Sequence, residues 1–500
     1  MSQHFLLIPM ASCCALLVAL SVTPAAARQT TVSGTAGVSY DHQERSYDDQ
    51  LLDASDDGDR RKIGVEPGVL IVSRGLYDTF SFRYAPLINH DFVTENTEVD
   101  HRLSLVADRS LSRNWSLSLS NDFVLSDDPG RSTVSAIAPD PVGPDEQAPP
   151  VGEQPLGPES DITDGLPSQQ APPAGDDLSR DLSGQRYWTN TASIRTSGAL
   201  AEQTRLGGGY SYTVLRNQGD SSGYNEYDKH AFTADFSQGF GPSWRTDLVL
   251  GYVLGLYTDE DADTAASPDV QEYNARIGLE HVRSIRDSFP LSYSFSGTAY
   301  DGDTRRDSQT HAWSAGWNHA FDPQTRMAIA GGPSYAKVDG LEGEWGYNAF
   351  LALNKSYQYT TYGLVFSKDY QTRNFTGTDE SGLTDTYSLQ ATCTHQYSQA
   401  LALNLYGRYT WQSSLDPQGA FRIAAIEDEG GLAAEDGIGD LTYDKNTYEI
   451  GAGLSYSFGR WYTAGVRYSY YVSDGELPSD QYNDHQVLVT LSASREFWRW

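Results

Sequence analysis

The chain has 500 residues, and 67 acidic against 35 basic side chains leave a formal net charge of −32. A surface this acidic repels polyanions, which excludes nucleic acid as a partner. The length would ordinarily suggest several soluble domains, yet no change of periodicity between residues 31 and 500 marks a second core, so one large closed sheet is expected.

Residues 5–22, FLLIPMASCCALLVALSV, form an apolar run followed by Thr23-Pro24 and Ala25-Ala26-Ala27. This is the pattern of a signal peptide spanning 1–27 and cut before Arg28, although His4 stands where Lys or Arg is usual. Lipid attachment at Cys13 fits worse, because the apolar run continues past it. Cys13 and Cys14 fall in the leader, so Cys393 is alone in the mature chain and neither an intramolecular disulfide nor a thiolate metal cluster can form there. After Arg28 no segment has the ~20 apolar residues of a spanning helix. If the chain crosses a membrane, it does so with strands.

Residues 114–126, NWSLSLSNDFVLS, put Trp115, Leu117, Leu119, Phe123 and Leu125 on one face and Ser116, Ser118, Ser120, Asp122 and Ser126 on the other. A strand that alternates this way meets a different solvent on each side. The rhythm recurs near 31–41, 62–73, 76–86, 99–108, 114–126, 187–197, 204–215, 228–238, 243–256 and 271–284. It returns near 290–300, 311–321, 325–337, 344–354, 359–369, 384–395, 400–412, 446–458, 461–472 and 485–497. About twenty strands (18 to 22) of the length used by outer-membrane barrels are therefore expected. The fold class is all-β: a single closed antiparallel up-and-down transmembrane β-barrel over 28–500. A closed barrel pairs every backbone group between neighbours, so a chain that is polar on average can still cross lipid.

Connections alternate between short ones, such as 239–243, 322–325, 396–400 and 459–461, and long ones, such as 42–61, 127–186, 257–270, 413–445 and 473–484. Short periplasmic turns and long external loops predict that both termini are periplasmic. Trp115, Trp244 and Trp461 adjoin short turns, and Trp188, Trp313, Trp345 and Trp411 lie near long loops. Only Trp317 falls mid-strand, and this sorting predicts an aromatic girdle at each lipid boundary. The long loops hold most of the acid, as in 53–61 and 259–263. Such runs are first of all solvated surface, since binding a hard cation needs convergent oxygens, and no metal site is assigned.

The loop 127–186 holds half of the 22 prolines and no aromatic residue, which predicts a disordered external segment. The loop 413–445 carries AFRIAAI and GLAA, apolar surface that would be costly to expose. It is expected to fold inward and narrow the pore.

Side chains out of phase with the lipid face should line a wet lumen. They include Arg83, Arg102, Arg408 and Arg467 near the closing seam, and Arg195, Arg205 and Arg245 on the opposite wall with Asp235, Asp247 and Glu280. Such a wall can act as an electrostatic filter, or the charges can simply satisfy one another. With no plug and no passenger domain, a TonB-dependent receptor or a two-part secretion system fits poorly. No cofactor is implied, because no Gly-rich phosphate loop and no metal-spaced histidine cluster occurs.

The segment FRYAPLINHDFVTENTEVDHRLSLVADRSLSRNWSLSLSNDFVLSDDP (82–129) resembles the porin-like outer-membrane barrels of Gram-negative bacteria, some of them associated with exopolysaccharide export. Trp500 looks like the terminal signal read by the barrel-assembly machinery, although Ser494 and Glu496 occupy in-phase positions that are normally apolar. Asp228-x-His230 and Asp259-x-Asp261 are similar to the Asp and His pairs of omptin proteases, but matches this short are cheap in an acidic chain, and no enzyme is expected. The resemblance implies a passive channel for hydrophilic solutes in the outer membrane, among lipid and lipopolysaccharide. The alternatives are an export conduit for an acidic exopolysaccharide and a closed structural barrel.

Overall fold

A computed structural model describes residues 28–47, 59–127, 185–218, 224–258, 268–302, 305–375, 382–415, 444–475 and 481–500. The leader 1–27, most of the loops 127–186 and 413–445, most of the acidic run 53–61 and all of 259–263 lie outside the described residues.

Alternation has its expected consequence. The strands are β1 (Gln29–Tyr47), β2 (Asp59–Arg74), β3 (Asp78–Asp91), β4 (Asn96–Ser110), β5 (Trp115–Ser126), β6 (Tyr187–Ala201) and β7 (Thr204–Asn217). They continue with β8 (Tyr227–Phe240), β9 (Trp244–Tyr257), β10 (Val270–Val282), β11 (Asp287–Tyr300), β12 (Ser308–Asp322), β13 (Thr325–Val338) and β14 (Glu344–Ser356). The last six are β15 (Thr360–Arg373), β16 (Gly382–Gln396), β17 (Leu401–Ser414), β18 (Asp444–Phe458), β19 (Tyr462–Gly475) and β20 (Tyr482–Arg499). Each strand pairs antiparallel with its sequence neighbours, and β1 pairs with β20, so the 20-stranded sheet has no free edge strand. Tyr40 of β1 stands opposite Ile63 of β2 on one side and Val489 of β20 on the other. Thr30 and Trp500 exchange backbone hydrogen bonds of 2.8 and 3.0 Å at the seam. The fold is a closed up-and-down barrel, and among the described residues there is no helix.

Connections at one end of the barrel run from two residues (323–324) to four (397–400), and the start of β1 and the end of β20 lie at that end. The other end carries every long connection, together with two short ones at 92–95 and 339–343. One phase of the strands exposes large apolar side chains such as Val65, Leu250, Ile277, Ile329, Leu405 and Ile450. The opposite phase is mostly Ser, Thr, Gly and charged residues. A closed sheet allows only one of these phases to face the axis.

Prolines interrupt several of the ladders, because proline has no N–H to donate. The register between β2 and β3 is the same above and below a gap that sets Pro67 opposite Pro86. Between β12 and β13 the ladder skips the positions where Trp313 faces Pro333. There Asn348 of β14 reaches across and donates through Nδ2 to the Trp313 carbonyl at 2.9 Å.

Candidate functional site: a hairpin folded into the lumen

The largest departure from wall pairing is at the β15–β16 hairpin. Pairing of β14 with β15 stops where Ala349 meets Lys368, although β14 begins at Glu344 and β15 runs on to Arg373. Pairing of β15 with β16 continues to Arg373 opposite Gly382. Above that point β15 parts from β14 but stays paired with β16, which itself stays paired with β17 as far as Thr384 opposite Ser414. Tyr370 and Leu383, which are in phase with the lipid face lower down, pack instead on Ala336 and Val338 of β13. Ala336 and Val338 lie in the polar phase, opposite in sense to the exposed Trp345 and Tyr347 of β14, so the hairpin lies against the inside of the wall.

Its tip crosses to the far side. Asn374 donates from Nδ2 to Glu272 of β10 at 2.7 Å and accepts the Tyr300 hydroxyl of β11 at 2.6 Å. The Tyr257 hydroxyl of β9 donates to the Asn374 carbonyl. Phe375 enters a buried cluster with Tyr187, Leu215, Tyr224, Tyr227 and Val270. The Tyr227 ring meets Phe375 edge-on at 5.2 Å, and Lys229 Nζ stands 4.3 Å from the Phe375 ring centre. A chord from β15 to β7–β10 must pass through the barrel or over its mouth, which identifies the polar phase as the inner one. Thr298 and Thr372 (3.4 Å) and the bond from Arg373 to Gln412 of β17 fix the hairpin along its length.

The hairpin thus fills the sector inside β11–β14, on the side of the long connections. Among the described residues no such segment packs across the wall formed by β16–β20 and β1–β5. The loop 413–445 was the one expected to fold inward; its residues 416–443 lie outside the described residues, whereas the segment seen to fold inward is 374–375.

The structure places the seam arginines on the wall formed by β16–β20 and β1–β5. Arg83 lies 3.9 Å from Glu66, and Arg102 is its neighbour on β4, one residue pair from Asp122. Arg467 donates to the Tyr406 hydroxyl at 2.6 Å, and that hydroxyl donates to Glu449 at 3.0 Å. Arg408 stands opposite Glu449 in register, is exposed, and has no ion pair among the described residues. On the other wall Arg195 meets Asp235 at 2.6 Å, and Arg245 is in register with Glu280. Asp247 lies over Gly278, where a side chain would collide with its carboxylate. Arg205 is exposed.

Trp188, Trp345 and Trp411 stand on the outer phase toward the long-connection end, and Trp115 and Trp244 begin their strands at the opposite end. Trp461 lies in the turn before β19, and Trp313 is the sixth residue of β12. Asp228 and His230 also belong to the outer phase. Asp228 accepts from Tyr212 and Arg216, both at 2.5 Å, and His230 contacts Tyr210, so neither faces the lumen. Glu98, Asp100 and Asp127 bring carboxylate oxygens within 4.8 Å of one another. Lys62 approaches Asp127 at 2.5 Å and Arg186 approaches Glu98 at 3.3 Å, so the cluster already holds its own cations.

No protein-family model matches the sequence, and no curated protein does. Among solved structures the chain is similar to OccAB3 of Acinetobacter baumannii, at 11% identity over 93% of this chain and 99% of that one, with a TM-score of 0.40. It is similar to OccK2 (OpdF) of Pseudomonas aeruginosa, solved with glucuronate, at 12% identity over 93% and 96% of the two chains, with a TM-score of 0.38. It is also similar to the siderophore receptor PirA of Acinetobacter baumannii, at 8% identity over 93% and 80%, with a TM-score of 0.46.

Proposed function

We propose that the protein is an integral outer-membrane channel for passive diffusion of hydrophilic solutes, narrowed by the β15–β16 hairpin. Twenty strands enclose more space than side chains fill, since barrels of 16 to 18 strands already leave an aqueous channel. The inner wall is polar, and the outer wall is an apolar band that lipid would cover. The observation that carries the reading is the tip at Asn374 and Phe375, seated on β7–β11, which narrows the bore from one side. Selectivity then falls to the charges on the seam wall, Arg83, Arg102, Arg408 and Arg467 with Glu66, Asp122 and Glu449.

The leader at 1–27 would deliver the chain across the inner membrane, and the barrel-assembly machinery would insert it, with the termini and short turns periplasmic. The proposed activity needs no catalytic group and no cofactor. Single-channel recording of the refolded chain in planar bilayers tests the proposal. Stable ohmic steps that grow when Asn374 and Phe375 are both replaced by glycine are expected, and a barrel that inserts yet never conducts in either form would sink it.

A further inference from the structure

The chain has ten histidines, and all nine that follow residue 28 lie on the outer phase of their strands. None lines the lumen. Six of them (His42, His90, His101, His230, His311 and His485) lie within six residues of the long-connection end of their strands. The other three, His281, His319 and His395, lie within four residues of the opposite end.

Four of the upper six repeat one contact. Tyr84 and His101 are 3.0 Å apart through the phenol oxygen and Nδ1, Tyr210 and His230 2.9 Å, Tyr293 and His311 2.8 Å, and Tyr468 and His485 3.0 Å. In each case the tyrosine is on the first strand of a hairpin and the histidine is diagonal to it on the second, one step nearer the long-connection end. The hairpins are β3–β4, β7–β8, β11–β12 and β19–β20, so the contacts are spread around the circumference and do not form a patch. Histidines at the opposite end do not share the arrangement. His319 Nδ1 meets Asp287 at 2.7 Å, and His395 Nδ1 meets Thr360 at 2.7 Å.

Tying Nδ1 to a phenol fixes the ring and leaves Nε2 without a hydrogen bond among the described residues, at a height near the long-connection end of the strand. A neutral imidazole whose Nδ1 accepts from tyrosine carries its proton on Nε2, as a donor. We propose that these four tyrosine–histidine pairs form a ring of hydrogen-bond donors for the phosphate groups of the phosphorylated glycolipid in the outer leaflet. The inference rests on the outer-membrane reading above and adds a ligand to it. The acidic group two residues from His230 on the same face, Asp228, is occupied by Tyr212 and Arg216 and leaves His230 to its phenol, whereas Asp100 and Asp484, which adjoin His101 and His485, lie on the inner phase.

The test compares the wild type with a fourfold His→Asn variant at 101, 230, 311 and 485 and with the matching fourfold His→Gln variant. Asparagine places its amide near Nδ1 and keeps the tyrosine contact, whereas glutamine reaches toward Nε2. The chains are refolded into bilayers of a phosphate-free galactolipid, with lipid A, with dephosphorylated lipid A, or with inorganic phosphate. Heat unfolding is followed by gel mobility, and channel conductance is recorded in the same bilayers. Lipid A should raise the unfolding midpoint of the wild type and the Gln variant by several degrees and that of the Asn variant by much less, while the other two additions do little. Equal stabilisation of the Asn variant, or equal stabilisation by dephosphorylated lipid A, would overturn the ring. A chain that conducts but shows no phosphate effect loses this inference alone, whereas one that never inserts loses the membrane reading and this inference with it.

Discussion

Gly255 of β9 forms the floor beneath the ring of Phe375: a Cβ built at Gly255 would stand 2.6 Å from Phe375 Cε1. No side chain can occupy that position while the tip is seated. Gly255→Val should therefore unseat Phe375 without touching the hairpin itself, and Phe375→Ala should do the same by removing the ring, at a cost of about 3–5 kcal/mol for a fully buried aromatic. Both should widen the passage and raise single-channel conductance. If both variants conduct like the wild type, the tip does not set the width.

The hairpin is held where it leaves the wall. Lys368 is 2% exposed, pairs with Asp385 at 2.8 Å and lies 4.3 Å from the Tyr370 ring centre and 4.9 Å from that of Tyr347. A buried ammonium survives only with such partners. Lys368→Met would strand the Asp385 carboxylate and should destabilise the barrel by about 3–5 kcal/mol, whereas Lys368→Met with Asp385→Leu removes both charges and should recover most of that loss. Urea unfolding in vesicles measures both. A double variant no better than the single one would mean that the pair does not anchor the bend.

Asn348 replaces the hydrogen bond that Pro333 cannot give. Its Nδ2 donates to the Trp313 carbonyl, and a side chain at Gly332 would collide with that same carbonyl, so β12 and β14 close over the proline from the inside. Asn348→Asp keeps the shape and loses the donor. It should cost about 0.5–1.5 kcal/mol, the net worth of one hydrogen bond. Unfolding midpoints unchanged from wild type would show that water takes over the role.

Strand number, order and phase were legible because the barrel needs only a local signal: period-two alternation, with turn length deciding which end is which. Residues 114–126 carry it in full. The inward hairpin was not legible, because its decisive contacts join positions far apart, Asn374 with Tyr257 and Phe375 with Tyr187. The apolar run at 420–426 lies outside the described residues, and a single Phe in TRNFTGT has no periodicity to notice. A signal was nonetheless present. Tyr187, Leu215, Tyr227, Tyr257, Val270 and Tyr300 fall on the inner phase of six successive strands, in a wall otherwise made of Ser, Thr and Gly. Apolar and aromatic side chains gathered at one height on a wet face imply something that covers them. The histidines were likewise readable once phase was assigned, since every one follows the lipid-facing residues.

The seam wall offers a sharper test of selectivity than overall charge does. Arg408 is exposed on it, and Arg102 shares it with Arg83, Glu66 and Asp122. Lys337 has the same sign but lies on the outer phase of β13, in register with Gln309 of β12. Replacing Arg102 and Arg408 together by glutamate changes the lumen field, whereas Lys337→Glu changes net charge without entering the lumen. The reversal potential in a salt gradient should shift toward cations for the first and stay at the wild-type value for the second. Because screening shortens from ~10 Å at 0.1 M to ~3 Å at 1 M, the shift should be large in dilute salt and shrink at molar salt. Equal shifts from both changes would place the selecting field outside the barrel, in the acidic loops, and not on the arginines of the wall.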